Sequence, residues 1–212
     1  MNEALTLFVS AFVTLFVVID PPGCVPIFSS LTAGTSKGHR RAMALRSFWI
    51  ALAVLLAFAL GGQPFLNALG ISLAAFKVAG GLMVFLIAID MVFEKRTERR
   101  ENRAEEVLAS ATSPEEDISV FPMAIPMLAG PGAIAAMMLL TARAHSALEL
   151  AAVLGALVAV MVLTLLSLLA AGPIMAVMGA KFEGALTRLL GVVLAALAAQ
   201  FVIDGVKQSF GL

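Results

Sequence analysis

Six stretches of mostly apolar residues, each long enough to cross a lipid bilayer, constrain the fold of this chain more than any other feature. They run approximately over residues 4–31, 42–62, 66–93, 118–140, 147–171 and 182–206. A transmembrane helix needs about 20 such residues to span a hydrocarbon layer about 30 Å thick. The pattern therefore predicts an all-α integral membrane protein of six transmembrane helices, embedded in a lipid bilayer.

The composition supports a membrane protein and excludes several other classes. Apolar residues make up 61% of the 212-residue chain and charged residues 13%, against roughly 45–50% and 25% in soluble proteins. A soluble chain this short has too little interior to bury so much apolar surface. The formal net charge is zero, so no nucleic-acid partner is predicted.

The sequence offers no pattern for catalysis, metal binding or cofactor binding. Cys24 is the single cysteine, and the two histidines stand in no metal-binding motif. Phosphate-binding loops and nucleophile elbows are also missing from the sequence. We therefore predict neither an enzyme nor a resident cofactor.

The distribution of basic residues predicts the orientation in the membrane. One set of loops holds nine of them: Lys37, Arg40, Arg41, Lys95, Arg96, Arg99, Arg100, Arg103 and Lys181. The loops on the other side hold only Arg143 and Lys207. Because basic residues favour the cytoplasmic side, the long loop is expected in the cytoplasm and both termini in the periplasm. The first stretch lacks a positive leading region and a cleavage pattern, so it is expected to be a retained span.

Short matches along the chain predict an internal duplication. The Pro-Gly pairs at 22–23 and 131–132 lie 109 residues apart, and the same offset relates Thr32 to Thr141. Each match is short, but their common order along the chain favours a real repeat.

The duplication divides the chain into two repeats of three spans, residues 1–93 and 118–212. An odd number of spans inverts the second repeat in the membrane, an arrangement that recurs in secondary transporters. The connecting residues 94–117 hold 13 of the 28 charged residues. Such a run is typical of a solvated cytoplasmic linker, with a docking or regulatory element as the alternative.

Proline and glycine are predicted to interrupt the first and fourth spans. Asp20-Pro21-Pro22-Gly23 breaks the first span, and Gly130-Pro131-Gly132 breaks the fourth. A half-helix that begins after a break presents free N–H groups suited to a carboxylate, and one that ends there presents carbonyls suited to a cation. Two facing breaks are thus expected to bind a zwitterion near the bilayer midplane. The alternative is that both breaks only shape helix packing.

Three charged residues within the spans are further candidates for the site. Asp20 lies beside the first break and predicts a proton, sodium or ammonium site, unless it merely caps a helix. Lys77 and Arg188 lie inside the third and sixth spans. Both are candidate solute ligands, and the alternative for both is structural pairing with carboxylates or, for Arg188, snorkelling to the interface.

Two segments resemble the signatures of the MarC family of bacterial inner-membrane proteins. They read Asp-Pro-Pro-Gly-Cys-Val-Pro-Ile-Phe at 20–28 and Ile-Pro-Met-Leu-Ala-Gly-Pro-Gly-Ala-Ile at 125–134. Phe-Lys-Val-Ala-Gly-Gly at 76–81 is similar to that family's third helix. The resemblance implies six helices, an inner-membrane location and, from relatives of the SnatA type, transport of small neutral amino acids.

The chain departs from the family pattern at two candidate positions. Cys24 stands where the family is expected to have asparagine, so the substrate of this chain can differ if that side chain touches the solute. Lys77 replaces an expected arginine, which keeps the charge and loses the planar fork.

Together these features predict a secondary transporter or exporter of small neutral amino acids or similar zwitterions. The predicted substrate-binding residues are Asp20, Pro22, Gly23, Cys24, Lys77, Gly130, Pro131, Gly132 and Arg188. Two alternatives stay open: a membrane scaffold or regulator that transports nothing, and an efflux protein for unrelated small molecules.

Overall fold

The computed structural model describes residues 3–110, 117–177 and 180–211. They form helices joined by short turns, and the described residues contain no strand. In chain order the elements are α1 (Glu3–Ile19), α2 (Pro21–Leu31), α3 (Lys37–Ala68), α4 (Leu73–Val92), α5 (Lys95–Ser110), a distorted 119–128 segment (Ser119–Leu128), α6 (Pro131–Thr141), α7 (Ala147–Leu169), α8 (Ala171–Val177) and α9 (Ala180–Phe210).

The described helices confirm the prediction of an all-α membrane protein. Five spans are long and apolar enough to cross a bilayer: α1 with α2 as one span, then α3, α4, α7 and α9. The 119–128 segment and α6, bent by 51° at their junction, make a sixth candidate. Large apolar side chains such as Leu86 and Leu189, 65% and 68% exposed, cover the outside of the bundle, where lipid would solvate them.

The boundary between the second and third spans differs from the prediction. The sequence suggests that the second span ends at Gly61-Gly62, but α3 continues past Pro64 to Ala68. A Cβ atom on Gly62 would lie 2.6 Å from Cε of Met138, so this glycine serves the packing of α3 against α6. The third span accordingly begins at Leu73, where Ser72 caps α4 by accepting a hydrogen bond from the N–H of Ala75.

The charged stretch between the repeats is largely helical and packs against the bundle. Its first part forms α5, which contacts α2, α4 and the 119–128 segment. Ala104 is 3% exposed on the bundle-facing side of α5. The sequence predicts a solvated linker over 94–117; α5 leaves most of its described residues at least partly exposed and packs one face against the bundle, and residues 111–116 lie outside the described residues. We call the end of the bundle that carries α5 the α5 side, and the opposite end the far side.

Helices α4 and α9 pack along a seam of glycines. A Cβ on Gly81 would lie 3.0 Å from the carbonyl oxygen of Ala198, and a Cβ on Gly205 would lie 2.9 Å from that of Ala74. Gly191 makes a similar approach, since its Cβ would lie 2.9 Å from Cβ of Met91. Without side chains at these positions the two backbones approach closely, as is common between membrane helices.

Candidate functional site

The first break is a single residue, Asp20, in a left-handed conformation with φ of 59°. It separates α1 from α2 and caps α2, because its Oδ1 accepts a hydrogen bond of 3.2 Å from the N–H of Gly23. Its Oδ2 accepts one of 2.8 Å from Nη1 of Arg100. Asp20 is 2% exposed, so this carboxylate is both a helix cap and half of a buried ion pair.

The start of α2 offers no free donor to a solute, which corrects one sequence-based expectation. Pro21 and Pro22 have no N–H group. The N–H of Gly23 is held by the Asp20 side chain, and that of Cys24 by the Asp20 carbonyl at 3.1 Å. A solute carboxylate therefore finds its donors elsewhere.

The carbonyl groups at the end of α1 accept hydrogen bonds from two guanidinium groups of α5. Nη2 of Arg96 donates to the carbonyl of Val18, and Nη2 of Arg100 donates to the carbonyl of Ile19 at 3.5 Å. Burial, and then the nearby charge of Arg100, lower the pKa of the Arg96 guanidinium to about 10. At neutral pH Arg96 thus remains charged, and no ion pair among the described residues includes it.

The second break begins inside the 119–128 segment, earlier than the sequence suggests. Phe121 and Ile125 adopt extended conformations there. Each precedes a proline, Pro122 or Pro126, whose ring disfavours helical geometry at the residue before it. The 51° bend between this segment and α6 is consistent with the interruption predicted at Gly130-Pro131-Gly132, and α6 starts directly after Gly130.

The start of α6 has free donors where the start of α2 has none. Gly130 is the cap residue and provides no side-chain hydrogen bond. The N–H groups of Gly132 and Ala133 have no acceptor among the described residues. Such donors, together with the helix dipole, favour a bound anion.

A cavity of about 270 Å³ joins the two breaks on the α5 side. Its lining residues are Val18, Ile87, Asp90, Arg96, Arg99, Arg100, Arg103, Pro126, Met127, Gly130, Pro131, Gly132 and Ala133. A Cβ on Gly132 would lie 3.7 Å from Cγ1 of Val18, which shows how closely the second break approaches the end of α1. We call this space the arginine cavity.

The predicted site residues divide into those at the arginine cavity and those away from it. Gly130, Pro131 and Gly132 line the cavity, and Asp20 adjoins it through Arg100. Pro22, Gly23 and Cys24 do not line it. The Cys24 thiol is fully buried and lies 3.6 Å from the carbonyl oxygen of Ile19.

Lys77 and Arg188 lie outside the arginine cavity. Because α4 begins at Leu73, Lys77 is in its second turn, where Nζ donates to Oε1 of Gln208 at 2.8 Å. It is about 20 Å along α4 from Asp90, at 1.5 Å per residue. Arg188 is more than half exposed and pairs with Glu94 at 2.5 Å. A solute-binding role for either residue stays a prediction.

The arginines of α5 are functional candidates that the sequence analysis did not identify. Arg96, Arg99, Arg100 and Arg103 follow the spacing i, i+3, i+4, i+7, which places them on one face of a helix. That spacing was the available signal within the charged run. Arg99 pairs with Asp90, whereas the exposed Arg103 forms no ion pair with a described residue.

A second cavity, of about 520 Å³, opens on the far side of the bundle, at the C-terminal end of α6. Met138 and Thr141 of α6 line it, together with residues from the end of α3, the start of α4 and the start of α7. The eleven residues of α6 thus have the arginine cavity at one end and this larger cavity at the other.

Comparison with known proteins gives matches over nearly the whole chain. A family model described as "MarC family integral membrane protein" matches residues 5–210. The chain is 38% identical over 200 residues to a UPF0056 membrane protein of Methanocaldococcus jannaschii. This alignment covers 94% of this chain and 96% of the relative. It is 34% identical over 202 residues to the UPF0056 membrane protein YvbG of Bacillus subtilis, with 95% of each chain covered. It is also 33% identical over 212 residues to the UPF0056 inner membrane protein YhgN of Escherichia coli, with 98% of each chain covered. No solved structure matches this one.

Proposed function

The chain belongs to the MarC family of integral membrane proteins, and from that premise and the arginine cavity we propose that it is a secondary transporter of small neutral amino acids or similar zwitterions. The observation that supports the proposal is the meeting of the uncapped start of α6 with the α5 arginines in one cavity. Secondary transporters bind their solutes at such helix breaks.

The carboxylate of the solute binds at the start of α6. The N–H groups of Gly132 and Ala133 would donate hydrogen bonds to this carboxylate, and the positive end of the α6 dipole would also attract it. Arg96 adds a full positive charge: its guanidinium donates to the carbonyl of Val18 and to the Met91 sulfur, and it forms no ion pair among the described residues. A guanidinium pairs well with a carboxylate because its planar fork matches the two oxygens.

The ammonium group of the solute binds at Asp90. Asp90 is the acidic residue among those that line the cavity. In the structure its carboxylate forms an ion pair with Arg99. The side chain of Arg99 is 70% exposed, whereas that of Asp90 is only 19% exposed, so Asp90 would exchange the guanidinium for the ammonium group of the solute rather than stay unpaired.

The volume of the arginine cavity favours a small solute over a drug-sized one. Pockets for drug-sized ligands range from about 300 to 1,000 Å³, and this cavity holds about 270 Å³.

The position of α6 between the two cavities supports alternating access. In this state the buried residues of α6, among them Ala136, Met137 and Leu139, separate the arginine cavity from the far-side cavity. Arg100 forms an ion pair with Asp20, and Asp20 is the residue that we propose binds a coupling proton or sodium ion. Binding of the coupling cation would therefore displace Arg100 and loosen α5 from the bundle.

We propose an inner-membrane location with the α5 side in the cytoplasm and both termini in the periplasm. The support is the excess of basic residues in the loops of that side. YhgN, the relative from Escherichia coli, carries the description of an inner membrane protein.

Counterflow in proteoliposomes tests the proposed function. Vesicles that contain the protein and are loaded with unlabelled alanine or glycine should accumulate the labelled amino acid transiently. The rate should be well above that of loaded vesicles without the protein. A scaffold or regulator gives no exchange for any neutral amino acid. That result would overturn the proposal, provided that circular dichroism and gel filtration show the protein to be folded.

A further inference from the structure

We propose that a basic groove between the start of α3 and the α7–α8 turn binds the phosphate headgroup of an anionic phospholipid. The groove has a volume of about 520 Å³ and is lined by Lys37, Arg40, Arg41, Leu169, Gly172 and Pro173. It is separate from the arginine cavity, with which it shares no lining residue, and the inference does not depend on the transporter proposal.

The three basic residues stand together without neutralising partners. Lys37, Arg40 and Arg41 occupy positions i, i+3 and i+4 of α3, so they project from one face of the helix. No ion pair among the described residues includes any of them. The clustered positive charges repel one another, and an anion bound in the groove would reduce this repulsion.

Their position in α3 increases the need for a negative partner. Basic residues in the first turns of a helix oppose the helix dipole, whose positive end lies there. The first turn of α3 has no acidic residue. An anion in the groove would interact favourably with both the dipole and the side chains.

A buried nitrogen atom of one groove-lining residue also lacks an acceptor. Nε of Arg40 is inaccessible to solvent and has no hydrogen-bond partner in the described structure. Nη2 of Arg40 donates to the carbonyl of Thr32 at 3.4 Å, near the limit of a hydrogen bond, so the guanidinium is weakly held and can turn toward an anion in the groove. Phosphate oxygens are well suited to such a fork.

The groove lies where a lipid headgroup would be in a membrane-spanning bundle. Leu169 is the last residue of the α7 span and Lys37 the first of the α3 span, so the groove sits at the boundary between apolar spans and their polar ends. Leu169, 41% exposed, offers an apolar contact for the top of an acyl chain. A Cβ on Gly172 would meet nothing within 4 Å, so the groove is open. Basic pockets between membrane helices are known sites for anionic headgroups.

Native mass spectrometry of the detergent-purified full chain tests the proposal. The probes are phosphatidylglycerol, phosphatidylcholine and soluble glycerol 3-phosphate, each added at equal concentration. We expect phosphatidylglycerol to bind in preference to the other two. The variant Lys37→Gln/Arg41→Gln should bind it about 30-fold more weakly, as expected for the loss of two charges at an anionic headgroup. Both residues are exposed, so the variant should remain folded.

Two control variants make the result specific. Lys95→Gln/Lys207→Gln removes the same net charge at exposed positions outside the groove and should bind phosphatidylglycerol like the unmodified protein. Lys37→Arg/Arg41→Lys keeps the charges and should also retain binding. Equal retention of phosphatidylglycerol and phosphatidylcholine, or an equal loss in both glutamine variants, would overturn the proposal. Binding of glycerol 3-phosphate as strong as that of the lipid would identify a soluble phosphate compound and overturn the lipid assignment.

Discussion

At the scale of single residues, Asp20 connects the backbone break to the charged helix. One carboxylate oxygen caps α2 through Gly23 and the other pairs with Arg100. The side chains of this ion pair are only 3% and 11% exposed. Removing one partner of a buried pair leaves the other charge uncompensated, which commonly costs about 3–5 kcal/mol.

The variants Asp20→Asn and Arg100→Gln test this pairing. Asparagine keeps an oxygen for the Gly23 N–H and tolerates the left-handed conformation, so only the charge is lost. We expect each single variant to lower the unfolding temperature in detergent by several degrees, and the double variant to lose much less than the sum of the two. Arg46→Gln is the matched control, because Arg46 forms a 2.7 Å pair with Asp117 whose side chains are 61% and 41% exposed. Additive losses in the double variant would contradict a coupled pair.

Gly132 is the residue at which the start of α6 has least room. A Cβ there would lie 2.1 Å from Cδ1 of Ile87. We therefore expect Gly132→Ala to reduce uptake of labelled alanine at least tenfold, because the shifted side chain or helix end narrows the solute site. Gly132→Ala/Ile87→Ala should recover part of the activity, and Gly61→Ala, where a Cβ meets nothing within 4 Å, should transport normally. Full activity in Gly132→Ala would place the solute elsewhere.

At the scale of elements, replacement of glycine by alanine is predicted to have opposite effects on stability at Gly61, an open position of α3, and at Gly81, in the glycine seam between α4 and α9. Alanine stabilises a helix by about 1 kcal/mol relative to glycine. Gly61→Ala should gain that amount, whereas Gly81→Ala should lose about 1–3 kcal/mol, because its Cβ would lie 3.0 Å from backbone atoms of Ala198 and Val202. Thermal unfolding of both variants in the same detergent provides the measurement. A stabilised Gly81→Ala would mean that the two helices do not pack this closely.

The elements were predictable from the sequence where local signals decide them. Apolar length identified five spans and the bent sixth candidate, and proline with glycine pointed to the helix boundaries at Asp20 and Gly130. The end of α3 was not predictable, because Gly61 and Gly62 resemble helix terminators and only a contact with Met138, distant in sequence, shows that Gly62 serves helix packing. The packing of α5 depends on contacts between residues 80 positions apart, such as Arg100 with Asp20, which no local pattern reports.

At the scale of the whole molecule, α2 and α6 are matching elements of the two predicted repeats. Each is 11 residues long and has a proline in its first turn. Thr32 and Thr141, at corresponding positions, each donate a hydroxyl hydrogen bond to a carbonyl four residues earlier. These similarities support the proposed duplication, in which α6 has kept an open N-terminus while α2 is closed by Asp20.

The orientation of the molecule can be tested by cysteine labelling. Cys24 is the single cysteine of the chain, so Cys24→Ser provides a background without thiols. In intact bacterial cells an impermeant maleimide should label Lys207→Cys, on the far side, and should label Glu101→Cys, on α5, only after the membrane is permeabilised. Both positions are exposed, so accessibility to the reagent reports the side of the membrane. The opposite labelling pattern would place α5 in the periplasm.

The central claim is that the carboxylate of a small amino acid binds among the α5 arginines at the start of α6. Equilibrium binding of labelled alanine to the purified protein, with competition by unlabelled glycine and by alaninamide, tests it most directly. We predict that glycine competes, that alaninamide does not, and that Arg96→Gln binds alanine at least tenfold more weakly. Competition by alaninamide equal to that by glycine, or unchanged binding in Arg96→Gln, would contradict the account.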